Sequence, residues 1–167
     1  DGKDVVWRCS NNALKCPDRT IAAWTHFASR GAMYLKGYGE KVARILNIPP
    51  CELYDINGLL LEQCVGRLGG KTMENFMREA AASKTREAYR FLFAMNIPDV
   101  GESTARLLLE HFHDHNFDAL VNASIEELME VPDVGEVVAE SIYYWFRKPS
   151  NRKLWEYIPD KLSLSYP

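Results

Sequence analysis

Four glycine-centred turns, repeated at almost constant spacing, constrain this chain more than any other feature. Their anchoring glycines are Gly39, Gly69, Gly101 and Gly135, which lie 30, 32 and 34 residues apart. An amphipathic segment follows each turn, and the pattern predicts helices near residues 73–82, 104–112 and 138–146 after the last three. A period of this size indicates tandem copies of one supersecondary unit. Here the unit is a helix, a glycine hairpin and a second helix.

This unit is suited to binding something large and negative. Glycine permits a positive φ angle and leaves no Cβ in the way. The helix that follows directs its unpaired N–H groups, and the positive end of its dipole, at the same point. The repeat therefore predicts a chain that holds phosphates through backbone amides.

The predicted fold is mainly α: four tandem helix-hairpin-helix motifs arranged as two paired units, preceded by a short zinc-ribbon-like β segment. We expect pairing because one hairpin cannot bury its own apolar face and must share a core with a neighbour. The expected divisions are a partial zinc-finger-like segment (1–17), motifs one and two (18–90), motifs three and four (91–160) and a tail (161–167).

Composition places the chain among globular proteins. Its 167 residues are 47% hydrophobic, which is enough for a proper core. No apolar run approaches the ~20 residues of a membrane helix, and the first residues are polar and acidic rather than a secretory leader. We therefore expect a cytoplasmic protein with no membrane partner.

The net charge of −3 hides a strong asymmetry. Residues 1–90 hold 14 Lys and Arg against 10 Asp and Glu, whereas residues 91–167 hold 6 against 13. Phosphate attracts the basic half and is repelled by the acidic half. The charge distribution predicts that a phosphate-binding face lies mostly in the first half.

The first residues differ from the rest of the chain. Residues 5–9 (VVWRC) have strand character, and Cys9 and Cys16 close a short loop. Two such cysteines resemble half a zinc ribbon, and the alternative is a pair of free thiols in a terminal segment. Structural zinc sites need four ligands, so we expect zinc to be absent or weakly held by this chain.

A family resemblance arises at residues 26–33 (HFASRGAM) and 35–41 (LKGYGEK). This run closely resembles the segment that joins the zinc finger to the first helix-hairpin-helix motif of bacterial-type NAD-dependent DNA ligases. The resemblance continues at 80–84, at 94–97 with 100–102, and at 122–124 through to 134–135, and covers roughly residues 5–158. It implies a tetracysteine zinc finger and four motifs that grip the minor groove around a nick. It also implies a parent enzyme that seals nicks in DNA replication and repair.

Several departures from the family limit what the chain itself would do. Six residues separate Cys9 from Cys16 where the family has four, and Arg67 stands where the family often has glycine. No Lys-x-Asp-Gly sequence, the setting of the family's adenylated lysine, occurs here. We therefore expect a non-catalytic C-terminal portion of a bacterial, nucleoid-associated ligase. The resemblance implies nicked double-stranded DNA and the adenylation and OB domains as partners, with NAD and Mg²⁺ held by those other domains.

The candidate DNA-binding residues all lie in or beside a hairpin: Arg30, Gly37, Gly39, Lys41, Arg44, Arg67, Gly69, Gly70, Lys71, Gly101 and Gly135. We expect the first two hairpins to dominate, because Lys41 and Lys71 add charge there. The last two hairpins instead place carboxylates beside the same amides, and these repel a phosphate. His26 shares a helix face with Arg30 and is expected to make a structural hydrogen bond.

Two other functions fit parts of the pattern. One is a protein-interaction scaffold that uses acidic residues 91–167 as its binding surface. The other is a DNA glycosylase-like repair enzyme, a class that usually has a single hairpin with a catalytic Asp, and often a Lys, close by. Four hairpins, with no lysine in the last two, argue against the glycosylase.

Overall fold

The computed structural model describes residues 17–36, 43–45, 66–67, 69–112, 117–152 and 162–166. Within these ranges the chain is mainly helical, as predicted, and contains a single isolated β-bridge in place of a sheet. The helices are α1 (Pro17–Phe27), α2 (Gly70–Ser83), α3 (Ala88–Ala94), α4 (Glu102–Phe112), α5 (Asp118–Val121), α6 (Ile125–Met129) and α7 (Glu136–Arg147). None of the helices in these ranges is long and apolar enough to cross a membrane. The predicted zinc-ribbon-like segment lies outside the described residues, apart from Pro17, which begins α1.

The helices that follow the glycines bury one face each. In α4 the buried side chains include Ala105 and Leu108, and in α7 Ala139 and Ile142 occupy the same places 34 residues later. The spacing of three residues puts both members of each pair on one helix face. The repeat seen in the sequence is therefore a repeat of core positions as well as of turns.

Aromatic rings connect the helices through the core. The chain of ring contacts runs through Phe76, Trp24, Phe27, Phe91, Phe117 and Tyr166, with centroids 5.5 to 6.5 Å apart. The first five rings are buried, and contacts of this kind add to the energy of burial. Helices α1, α2, α3 and α5 therefore share one continuous core with the last residues of the chain.

Those last residues, 162–166, form what we call the tail strand. It lies parallel to the segment between α2 and α3, with Ser163 N donating to Lys84 O (3.0 Å) and Ser165 N to Arg86 O (2.9 Å). Ala88 N donates back to Ser165 O at 2.7 Å. Leu162 is buried. The tail strand therefore fixes the backbone of residues 84–88.

Candidate nucleic-acid interface

The third and fourth hairpins share one turn geometry. In the third, Val100 N donates to Ile97 O, and in the fourth Val134 N donates to Val131 O, both at 3.1 Å. Each turn has proline at its second position and aspartate at its third. The aspartates have φ angles of 70° (Asp99) and 69° (Asp133). Proline followed by a residue of positive φ is the signature of a type II turn.

The anchoring glycines of these two hairpins do not supply the positive φ expected of them. Gly135 has φ −92°, and Gly69 is the only described glycine with a positive φ. Aspartate takes over that role because its short polar side chain tolerates the left-handed region better than most. The expectation that glycine is needed for the backbone angle is therefore wrong for the last two hairpins.

What glycine does provide there is open space. A Cβ added to Gly101 or Gly135 would meet no described atom within 4 Å. Each glycine carbonyl accepts the first bond of its helix, from Ala105 N and Ala139 N, at 2.9 Å. At both helix starts, the space within 4 Å of such a Cβ therefore holds no described protein atom, and a side chain would occupy that space.

The second hairpin reaches the same arrangement through a different turn. Gly69 is the N-cap of α2 with φ 91°, and its carbonyl accepts from Met73 N at 3.1 Å. Gly70 opens the helix, and both Lys71 and Arg67 are exposed. A side chain at Gly69 would be strained at this φ even though the space is open. In this hairpin a single glycine, Gly69, therefore supplies both the positive φ and the open space.

The first hairpin is described only at its two ends. Gly37, Gly39 and Lys41 lie outside the described residues. Arg30 is exposed ahead of the hairpin, with its guanidinium carbon 5.7 Å from the centroid of the Tyr34 ring. Arg44, beyond it, is exposed as well. Both cations are therefore placed at the surface near the ends of this hairpin.

Two helices that follow the glycines, α2 and α7, start without a side-chain cap, as α3 and α5 also do. Among the described residues, no side chain caps the start of α2 or α7, and both have glycine at the N-cap. By contrast, α6 has a complete capping box, in which Glu127 N donates to Ser124 Oγ and Ser124 N to Glu127 Oε1. The first N–H groups of any helix lack partners within the helix. Among the described residues, no cap side chain takes up these donors at α2 and α7.

The charged side chains at the hairpins follow the difference in net charge between the two halves of the sequence. The residue two places after the anchoring glycine is lysine in the first two hairpins, Ser103 in the third and Val137 in the fourth. Carboxylates flank the last two anchoring glycines on both sides, at Asp99, Glu102, Asp133 and Glu136, and all four are exposed. The third and fourth hairpins therefore lack the lysine that the first two have at this position.

Sequence reasoning missed the contacts that hold these parts together. Ser141 Oγ in α7 donates to Pro98 O in the third turn at 2.6 Å, which joins the fourth motif to the third. His26 Nε2 donates to Phe93 O at 2.7 Å, and this is the structural hydrogen bond expected of it. Arg86 and Arg90, counted in the sequence only as basic charge, bind backbone carbonyls near Arg30. No local sequence signal marks contacts between residues so far apart.

Metal binding finds no support in the part of the chain that the structure describes. It holds no group of three or more His, Cys, Asp or Glu side chains arranged for a metal ion. Cys9 and Cys16, the candidate zinc ligands, lie outside that part. The zinc prediction therefore stays a prediction.

Comparison with known proteins places the chain in a family context. Residues 90–154 match the family model described as a helix-hairpin-helix motif. The chain is 40% identical over 148 residues to a DNA ligase of Thermomicrobium roseum, covering 84% of the chain and 21% of the relative. A DNA ligase of Chlorobium chlorochromatii is 39% identical over 156 residues, covering 90% and 23%. A third, from Nitrosococcus oceani, is 35% identical over 177 residues, covering 98% and 26%.

The chain is similar to one segment of these DNA ligases. The predicted resemblance to DNA ligases is confirmed, and the motif match includes both turns with aspartate at positive φ. The chain spans about a fifth to a quarter of the length of the curated relatives it matches.

Proposed function

We propose that this ligase segment is the DNA-gripping part of an NAD-dependent DNA ligase and binds duplex DNA around a nick without reading its sequence. Open, uncapped helix starts at the glycine hairpins carry the proposal, because they present several backbone donors to one kind of acceptor. Backbone amides bind phosphates and fix the register of a duplex, but they carry no base information. Such a grip suits an enzyme that must act at any nick.

The finer arrangement belongs to the same proposal. Four motifs lie within residues 18–160 and pack as two pairs, and the Ser141–Pro98 hydrogen bond supports pairing of the third motif with the fourth. The residues before 18 form the remnant of a zinc finger. Catalysis, with its NAD and Mg²⁺, belongs to adenylation and OB domains elsewhere in the parent enzyme.

Within the grip, the first two hairpins make the strongest phosphate contacts. All the hairpins offer amides, so side-chain charge decides between them. Lys41 and Lys71 attract a phosphate directly, whereas Glu102 and Glu136, in the first turns of α4 and α7, repel one. Arg30, Arg44 and Arg67 add to the charge of the first pair.

A salt series on a nicked duplex tests this assignment. Removing one cation that binds a phosphate lowers the slope of log K against log salt by about 0.9, so Lys41→Ala with Lys71→Ala should lower it by about 1.8. The matched control is Arg78→Ala with Lys148→Ala, which removes the same charge from exposed sites. Arg78 lies ~12 Å along the axis from the start of α2. The control should change the slope far less.

Variants of the glycines in the last two hairpins provide the comparison with the lysine-pair variant. Gly101→Ser with Gly135→Ser should weaken binding less than the lysine pair does. If the lysine pair leaves affinity and slope unchanged while the folded serine variant abolishes binding, the assignment of the hairpins is reversed. If neither pair has any effect, the hairpins do not hold DNA at all.

A second candidate, the protein-interaction scaffold, is favoured by one surface of α7. Val137 is 71% exposed and Tyr144 is 59% exposed, seven residues apart and therefore on one helix face. Exposed Glu140 lies between them. An apolar face bearing a carboxylate is unsuited to phosphate. The same salt series separates the two functions. If the chain is a scaffold, the parent chain should bind duplex DNA no more tightly than the variant that lacks Lys41 and Lys71.

A further inference from the structure

Two arginines between α2 and the middle of α3 bind the backbone of a loop that precedes them by more than fifty residues. Arg86 Nε donates to Met33 O at 2.8 Å, and its Nη2 donates to Tyr34 O at 3.3 Å. Arg90 Nη1 donates to Arg30 O at 2.9 Å and to Ala32 O at 3.1 Å. Four carbonyls of residues 30–34 therefore accept hydrogen bonds from two guanidinium groups.

The loop they bind, residues 28–35, has its own internal framework. Met33 N donates to Phe27 O at 3.0 Å and Leu35 N to Ala28 O at 3.1 Å. Tyr34 has φ 51°, an angle that a bulky residue adopts only when its surroundings hold it there. The Arg86 guanidinium carbon lies 6.0 Å from the centroid of the Tyr34 ring. The two arginines therefore bind the backbone at and beside Tyr34, the residue with the unfavourable positive φ.

The third motif supports the same loop from another side. The ring of His26 lies 4.7 Å from the ring of Phe93, in addition to their hydrogen bond. The Glu102 carboxylate approaches Gly31 so closely that a Cβ there would lie 2.9 Å from its Oε1. The loop is thus held against α3 and against the first turn of α4.

The loop also carries groups of the proposed DNA grip. Arg30 is exposed, and Lys36 is exposed immediately before the first glycine of the first hairpin. Whatever fixes residues 30–34 fixes the place from which Arg30 reaches out and from which the first hairpin begins. The same contacts fix Arg30 and the start of the first hairpin relative to the third motif, which carries another hairpin of the proposed DNA-binding surface.

We propose that Arg86 and Arg90 are positioning residues for DNA binding: they clamp residues 30–34 so that Arg30 and the entry to the first hairpin keep a set position relative to the third motif. The proposal rests on the proposed function. It assigns these two cations to carbonyls rather than to phosphates, although they lie in the basic half of the chain. A guanidinium donates from a planar fork to two acceptors at once, and a lysine ammonium at the same place cannot reproduce that geometry.

Arg86→Lys is the decisive variant, because it keeps the charge and loses the fork. A phosphate-binding arginine would be largely rescued by lysine, whereas a clamping arginine would not. We expect Arg86→Lys and Arg86→Met to weaken binding to a nicked duplex by a similar factor, three- to tenfold. The matched control is Arg78→Lys; within the described residues its guanidinium bonds locally, to Asn75 Oδ1 at 2.8 Å. It should bind as the parent does.

Coupling to Arg30 supplies the second readout. Arg30→Ala should weaken binding in the parent and have a smaller effect, by at least twofold, in the Arg86→Lys background. Two independent phosphate contacts would instead show additive effects. Rescue by lysine, or strict additivity with Arg30, would overturn the clamp.

Hydrogen exchange tests the clamp without DNA. In Arg86→Lys the amides of Met33 and Leu35 should exchange at least threefold faster, while that of Ala139 in α7 stays unchanged. Unchanged exchange at Met33 and Leu35 overturns the proposal, as does an equal rise at Ala139, which would mean general destabilisation. If the parent chain binds no duplex, the proposed function fails, and exchange still decides whether Arg86 holds the loop.

Discussion

Replacing the glycines of the third and fourth hairpins should hardly affect folding, whereas replacing the aspartates two residues earlier should destabilise both turns. The reason is the observed backbone: Asp99 and Asp133 carry the positive φ, and the space over Gly101 and Gly135 is open. A conventional expectation for glycine hairpins would be the reverse. Measuring both sets of variants therefore tests how these turns are built.

The magnitudes follow from the same angles. An L-residue in the left-handed region costs about 1–2 kcal/mol, which aspartate partly offsets by local hydrogen bonding. Alanine has no such compensation, so Asp99→Ala with Asp133→Ala should cost about 2 kcal/mol in total and lower Tm by about 4–8 °C. Glycine at the same two positions relieves the steric cost but loses about 0.5–1 kcal/mol each through chain entropy. The double Asp→Gly variant should therefore remain close to the parent.

For the anchoring glycines, serine is the informative substitution. Serine is preferred over glycine at an N-cap by a few tenths of a kcal/mol, so Gly101→Ser with Gly135→Ser should leave stability unchanged or slightly raised. Equilibrium urea unfolding, followed by far-UV circular dichroism, measures all three double variants. A loss of more than 1 kcal/mol in the serine variant, or parental stability in the Asp→Ala variant, would refute the reasoning.

Two further substitutions test single contacts. Ser141→Ala removes the hydroxyl that joins α7 to Pro98, and should cost about 1 kcal/mol in urea unfolding, with Ser103→Ala on α4 as the control. An unchanged midpoint would show that this bond does not join the motifs. Ser124→Ala breaks the capping box with Glu127 and should also cost about 1 kcal/mol, or about 2–4 °C in Tm. Because Ser124 lies at the start of α6, at the opposite end of this helix from the fourth turn, duplex affinity should not change, and a loss of affinity at full folding would contradict that placement.

The spacing of apolar residues, and the Gly and Pro residues at the turns, predicted the helices because those signals are local. The helices expected near 104–112 and 138–146 are α4 and α7, which begin two residues earlier, at Glu102 and Glu136. The difference arises because glycine itself serves as the N-cap and an acidic residue in the first turn favours the helix start. The capping box at α6 was predictable for the same reason, since both partners lie within four residues.

The clamp and the turn strain could not be predicted in this way. Arg86 and its acceptor Met33 are 53 residues apart, and nothing local distinguishes Arg86 from a solvated cation. Likewise, the Pro-Asp-Val sequence alone does not indicate that Asp99 and Asp133 have a positive φ; the structure of the turn does. Candidate DNA residues in the described ranges are exposed, as expected, but exposure alone does not assign them a phosphate.

The tail strand joins two parts of the chain that are far apart in sequence. Its bridge pairs Ser165 with Glu87, so closing it encloses a loop of roughly 80 residues that contains the third and fourth motifs. The entropy of closing so long a loop is recovered only after α4 to α7 have packed and shortened the distance between its ends. We therefore expect the strand to join after α4 to α7 have packed.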